Sequence, residues 1–373
     1  MEEKIKNDEH CWCGSGKLYI DCHLARHDEK PFELWETDKA LRAASGKKYC
    51  SCPEAMQTDC KGKIINAHTV SKSGSLAKIA KDSHVYGFVP SVMKLDKTKG
   101  VFEPEPIGIN KASTFTGFCG YHDKSLFSCF EDSPYVQSDE QNFLICYRSI
   151  AREFHAKQGQ SEITELFKEA DRGKSIDEQF QTQAFAFQHA LMTQVGLRDT
   201  TTHKIAYDKC LLSKDYSTFN SYVIVFNEIL PVQCSGSFTP DVDFNGNKLQ
   251  DLMDLEKTLD LISCSIFSDN GKTYALFGWL NDSHDSCEKF IKSFDSIEAP
   301  VKAKALINFA FYTFENIYIS PTWWDSRVFK FKRHLKKSSI LMRILMLIIK
   351  RGFSTTLAST QFLVRQNYLK FYM

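Results

Sequence analysis

The chain has 373 residues, 43% of them hydrophobic and 25% charged, with a formal net charge of +1. That is long enough for two or three domains, and too apolar and too evenly charged for a disordered chain. Thirteen cysteines, an odd number and clustered with histidines, argue against a disulfide framework and for metal ligands plus buried thiols in a reducing compartment. The charged first residues run straight into a cysteine cluster and do not read as a leader, so a cytoplasmic protein is expected. The balance of charge is uneven: residues 326–373 hold eleven Lys or Arg and no Asp or Glu, leaving 36 basic against 46 acidic residues before them.

The first informative stretch is Cys11-Trp12-Cys13-Gly14-Ser15-Gly16-Lys17-Leu18-Tyr19-Ile20-Asp21-Cys22-His23. Three thiols and an imidazole in thirteen residues are the soft and borderline donors that zinc takes in closed four-coordinate sites. Gly14 and Gly16 permit a tight turn where a Cβ would obstruct. Gly14-Ser15-Gly16-Lys17 is not a phosphate loop, because Cys11 and Leu18 stand where the first Gly and the Ser or Thr are needed. The stretch resembles the SEC-C motif, a small zinc-binding module. That resemblance implies Cys11, Cys13, Cys22 and His23 as the ligands of a knob over residues 1–30 that docks on a protein or on a ribosomal or nucleic-acid surface.

Residues 31–45 read as a short helix or linker, and 46–135 as a second Cys/His segment broken by Pro90, Pro104 and Pro106. One Cys pair precedes an apolar strand, and Cys119 and His122 follow it as a Cys-x-x-His knuckle. The preferred quartet is Cys52, Cys60, Cys119 and His122, with Cys50 as the alternative to Cys52. The order resembles treble-clef zinc fingers and HNH endonucleases. On that resemblance His68, behind Ile64-Ile65, would be a general base, and Asp123 would hold Mg²⁺ or Mn²⁺ beside a phosphate. Asn110 would orient the His68 loop, His84 would assist, and Lys61, Lys63, Lys72, Lys78 and Lys81 would contact phosphates. The long insertion before Cys119 and the seven-residue spacer of the Cys pair depart from that family. His68 also reads as a zinc ligand or as a core histidine.

Residues 136–215 form a helical block. Phe143, Leu144, Tyr147, Ile150, Ala151 and Phe154 recur at helical spacing, and a second helix over 177–195 is expected to stop at Gly196. Residues 216–325 mix strands and helices: a strand over 221–227, and a hairpin of 259–267 with 273–279 turning at Asn270-Gly271. Helices are expected over 285–294 and 301–315. His155, His189 and His203 lack a second ligand nearby, and Cys129, Cys146, Cys210, Cys234, Cys264 and Cys287 read as buried thiols. The pair Trp323-Trp324 reads as a core cap.

The apolar run 339–349 is too short for a bilayer span of roughly 20 residues and predicts a buried or surface-lying helix in a basic tail. Neither a Gly-x-Ser-x-Gly elbow nor a dinucleotide fingerprint occurs. The expected class is α+β: a zinc knob, a treble-clef-like segment, a helical block and a mainly antiparallel C-terminal region. The expected activity is that of a zinc-dependent protein- or nucleic-acid-binding factor, the alternative an HNH-like nuclease working through His68. Membrane contact would come through the tail.

Overall fold

The computed structural model describes residues 6–98 and 103–327. Its helices are α1 (Leu34–Ser45), α2 (Ala77–Ile79), α3 (Val92–Lys97), α4 (Gly120–Glu131), α5 (Asp139–Lys168), α6 (Ile176–Ser213), α7 (His284–Asp295), α8 (Ala299–Thr313) and α9 (Pro321–Asp325). Its strands are β1 (Ile64–His68), β2 (His84–Gly87), β3 (Glu105–Gly108), β4 (Thr114–Cys119), β5 (Phe219–Phe226), β6 (Val232–Phe238), β7 (Ile262–Asp269), β8 (Lys272–Leu280) and β9 (Ile317–Ile319). The class is α+β. The apolar run 339–349 and the tail beyond residue 327 lie outside the described residues.

Two antiparallel sheets form. β1 pairs with β4, and seven strands run in the order β3-β2-β9-β6-β7-β8-β5. The insertion between β1 and β4 thus leaves the small sheet, supplies β2 and β3 to the large one, and returns. Pro106 is tolerated in β3 because that strand is an edge, where a missing N–H leaves no ladder bond unmade.

The expected hairpin forms: β7 and β8 meet at Asp269↔Lys272, with Asn270 and Gly271 both at positive φ (47° and 77°), the twist that fits flanking strands. β7 and β8 are buried on both faces. α7, α8 and α9 cover one face of the sheet with Phe290, Phe294, Phe309, Phe311 and Trp324. Trp324 is buried and stacks on Phe311, so the Trp pair caps the core.

α5 covers the other face. Residues 141–151 are buried on every side, because the helix runs between the large sheet and the small finger of β1, β4 and α4. Its close approach to β8 needs Gly278, where a Cβ would stand 2.5 Å from the Cys146 sulfur. Ser149 fixes the depth of the helix, its hydroxyl lying 2.7 Å from Ser235 Oγ and 3.2 Å from Ser265 Oγ.

α6 folds back on α5 as a long hairpin. It runs through Gly196 to Ser213, against the expectation that Gly196 ends it. A glycine costs a helix only about 1 kcal/mol, and packing along α5 outweighs that: a Cβ there would meet only the Lys157 side chain. Among the described residues no helix is long and apolar enough to cross a membrane.

Candidate metal centres

The first centre is a turn closed on itself. Cys11 N–H donates to Lys17 O at 2.8 Å, Gly14 N–H donates back to Cys11 O at 3.2 Å, and Gly14 and Gly16 take φ near +75°. A short turn after Tyr19 then brings Cys22 and His23 back, and one ligand atom from each of Cys11, Cys13, Cys22 and His23 falls within 4.8 Å of the others. His23 Nδ1 is 3.2 Å from the sulfurs of both Cys11 and Cys22, and the Cys13 and Cys22 sulfurs are 3.6 Å apart.

The second centre sits where three pieces of chain meet. Residues 49–51 run beside β4, with Ser51 N–H donating to Gly117 O at 2.7 Å, which delivers Cys50. A short 3₁₀ helix over Glu54–Asp59 delivers Cys60. Cys119 caps the N-terminus of α4, its sulfur accepting from His122 N–H at 3.5 Å. The partial positive charge at a helix start favours a thiolate there. Ligand atoms of Cys50, Cys60, Cys119 and His122 lie within 4.8 Å of one another, and His122 Nδ1 is 3.6, 3.5 and 3.3 Å from the three sulfurs. Zinc with sulfur at about 2.3 Å and nitrogen at about 2.0 Å sets neighbouring tetrahedral ligand atoms roughly 3.5–3.8 Å apart. Both groups have that donor chemistry, and their separations of 3.2–3.6 Å lie close to that spacing.

The tight quartet contains Cys50 and not Cys52, against the expectation from spacing. Residues 50 and 52 are two apart, so alternation along an extended chain does not separate them; the tie of residues 49–51 to β4 does, setting the Cys50 sulfur 3.4 Å from Cys119 N–H. Cys52 is buried beside the group, its sulfur 3.9 Å from that of Cys60. Ser51, between them, is tied to the helices: its carbonyl lies 3.3 Å from the Tyr147 hydroxyl, which donates to Asp208 at 2.7 Å and accepts from buried Lys204 at 3.0 Å.

His68 stands outside both groups. It ends β1 opposite Thr114, and its Nε2–H donates to Ile109 O at 3.0 Å. It is the carbonyl next to Asn110, not the exposed Asn110 side chain, that holds it. Burial pushes its pKa below the usual histidine range, so the ring is neutral near pH 7. Asp123, in the first turn of α4, is paired with Arg148 at 3.3 Å, and burial nonetheless pushes its carboxyl above the usual range. Neither residue belongs to a group of three or more potential metal ligands among the described residues.

His84 lies at the surface, its ring turned to Asp82 O at 2.7 Å. Lys61, Lys63, Lys72, Lys78 and Lys81 are exposed. His155 and His203 are buried with carbonyl partners, Lys47 O at 3.0 Å and Leu259 O at 2.7 Å. All thirteen cysteines are free of disulfides.

Two neighbours of these sites escape sequence reasoning. Arg148 is 1% exposed, pairs with Asp123 and with Glu131 at 2.7 Å, and stacks over Phe127. Asp171 is fully buried against His23. Neither has a motif around it, since each partner is remote in sequence. Comparison of the chain with protein-family models, with curated proteins and with solved structures finds no match. The two Cys/His groups are therefore defined by their own residues and geometry.

Proposed function

We propose that the protein binds two zinc ions, one in each Cys₃His group, and acts in the cytoplasm as a factor that docks on a protein or nucleic-acid surface. The observation that carries this reading is the convergence of two separate sets of three sulfurs and one imidazole nitrogen, the atoms of each set within 4.8 Å of one another. Each set supplies four protein donors, so zinc bound there cross-links the chain and keeps no position open for chemistry. The first set has little apolar core of its own to hold it, and structural zinc contributes roughly 10–16 kcal/mol in small modules. In the second, the cysteine-bearing segment, the strand pair β1–β4 and the start of α4 follow the treble-clef order. Elemental analysis of the purified full chain tests the reading: two zinc per chain are expected, and no zinc would overturn it.

One observation favours a second reading, a metal-dependent nuclease. His68 ends the first strand of this finger, and the bond from Nε2–H to Ile109 O leaves Nδ1 as a free lone pair on a neutral ring. A general base is held in this way. Mg²⁺- or Mn²⁺-dependent cleavage of nucleic acid, abolished by His68→Ala with both zinc ions retained, would establish it. The pairing of Asp123 with Arg148 weighs against it, and the binding role is the conclusion.

A further inference from the structure

The first metal group does not stand apart as a knob. His23 turns Nδ1 to the sulfurs of Cys11 and Cys22 and Nε2 to Asp171 Oδ2, 2.8 Å away and 148 residues along the chain. Asp171 has no exposed side-chain surface. Its other oxygen accepts from Arg26 Nε at 2.8 Å, and Gln183 Nε2 donates to Oδ2 at 2.6 Å. Asp171 lies between α5 and α6, in the turn that joins the long hairpin, and the N-terminal segment packs over that turn. Gly173 N–H donates to Arg26 O at 3.0 Å, and a Cβ on Gly173 would stand 2.9 Å from Glu29 O. Trp12, between the first two cysteines, stacks on Phe180 at 5.0 Å between ring centroids.

We infer that Asp171 is the outer partner of the first metal site, and that filling the site fixes the turn of the α5–α6 hairpin. The inference rests on the reading that Cys11, Cys13, Cys22 and His23 hold zinc. An imidazole that gives Nδ1 to a cation carries its proton on Nε2, and a buried carboxylate facing that proton fixes both tautomer and ring orientation. A cation on Nδ1 makes Nε2–H a stronger donor to Asp171 and ties His23 to the three cysteines; without it the weaker hydrogen bond alone joins this segment to the turn. Occupancy of the site and order at the turn are therefore linked, and linkage runs both ways. The far end of the hairpin is held besides by the small cluster of Ala44, Ile163, Phe167 and Ala186, and by the pairs of Arg172 with Glu36 at 2.8 Å and Arg26 with Glu169 at 3.2 Å.

The experiment uses the full chain, competed against a chelator and followed by hydrogen exchange. Asp171→Asn is expected to weaken the first zinc 10–100-fold, so that it is lost at a chelator concentration at which the wild type keeps both. Exchange over residues 163–186 should rise in Asp171→Asn, and equally in wild type stripped of that zinc. Zinc retained at the second site and unchanged helical circular dichroism report that the variant is folded. His23→Cys is the second variant: it keeps four zinc donors and cuts the link to Asp171. It should hold zinc and still show faster exchange at the turn. Wild-type affinity in Asp171→Asn, or a turn equally protected in His23→Cys, overturns the inference. A wild-type protein with no zinc on Cys11, Cys13, Cys22 and His23 overturns the underlying reading instead, before any variant is made.

Discussion

Gly159 of α5 faces the end of α1 so closely that a Cβ there would stand 2.7 Å from the carbonyl oxygen of Ala44. Helix propensity favours Ala over Gly by about 1 kcal/mol at such a position, but the obstructing atom is backbone and cannot swing aside. Gly159→Ala is therefore expected to destabilise the protein by about 1–3 kcal/mol, the usual cost of overpacking. Urea denaturation checks this, and a raised midpoint would show that α1 moves freely.

Cys50 and Cys52 should differ sharply. Cys50→Ser removes a member of the tight quartet, and zinc content is expected to fall by one ion per chain. Cys52→Ser should keep both ions, since its sulfur lies beside the group without completing it. If the two variants behaved in the opposite way, Cys52 would be the ligand.

Arg148 neutralises two carboxylates inside the finger and lies over the Phe127 ring. Arg148→Met keeps the stem and leaves Asp123 and Glu131 facing each other unpaired. Breaking a buried pair in this way costs about 3 kcal/mol, at the low end because Glu131 reaches water. The loss should shrink in the double variant Arg148→Met with Asp123→Asn, which denaturation of both proteins will read.

Stability should fall with acid below about pH 6.5, the ordinary histidine pKa. Burial pushes His68, His155 and His189 below that value, so each binds its proton more readily in the unfolded chain. Their contribution is complete above the unfolded pKa and is lost as pH drops through the lowered folded values. Melting of His155→Gln and His189→Gln variants between pH 5 and 7.5 should show a shallower slope than the wild type, and an equal slope would assign the acid sensitivity elsewhere.

Much of the C-terminal half is readable from local signals. The turn at Asn270-Gly271 places β7 and β8, and apolar spacing places α7 and α8, because neighbouring residues decide these elements. The ligands of the first centre are readable for the same reason. What cannot be read is long-range: the choice of Cys50 over Cys52 depends on how the chain lies beside β4, and Asp171 is found only when the hairpin turn meets His23. The seven-stranded sheet is equally hidden, since β2 and β3 show no sign in their own residues that their neighbour is β9. α6 runs on past Gly196 because one glycine costs a helix only about 1 kcal/mol, less than the long helix gains by packing along α5.

β9 is three residues long and pairs with β2 on one side and β6 on the other, Ile319 facing both Tyr86 and Val232. The order of synthesis therefore matters. β2 and β3 leave the ribosome early, but the strand that joins them to β6 comes more than two hundred residues later. Until then the facing edges of β2 and β6 are open, and such unpaired edges invite pairing with other chains. A nascent chain stalled before Ile317 would hold two unjoined half-sheets, a target for chaperones rather than a smaller version of the finished protein.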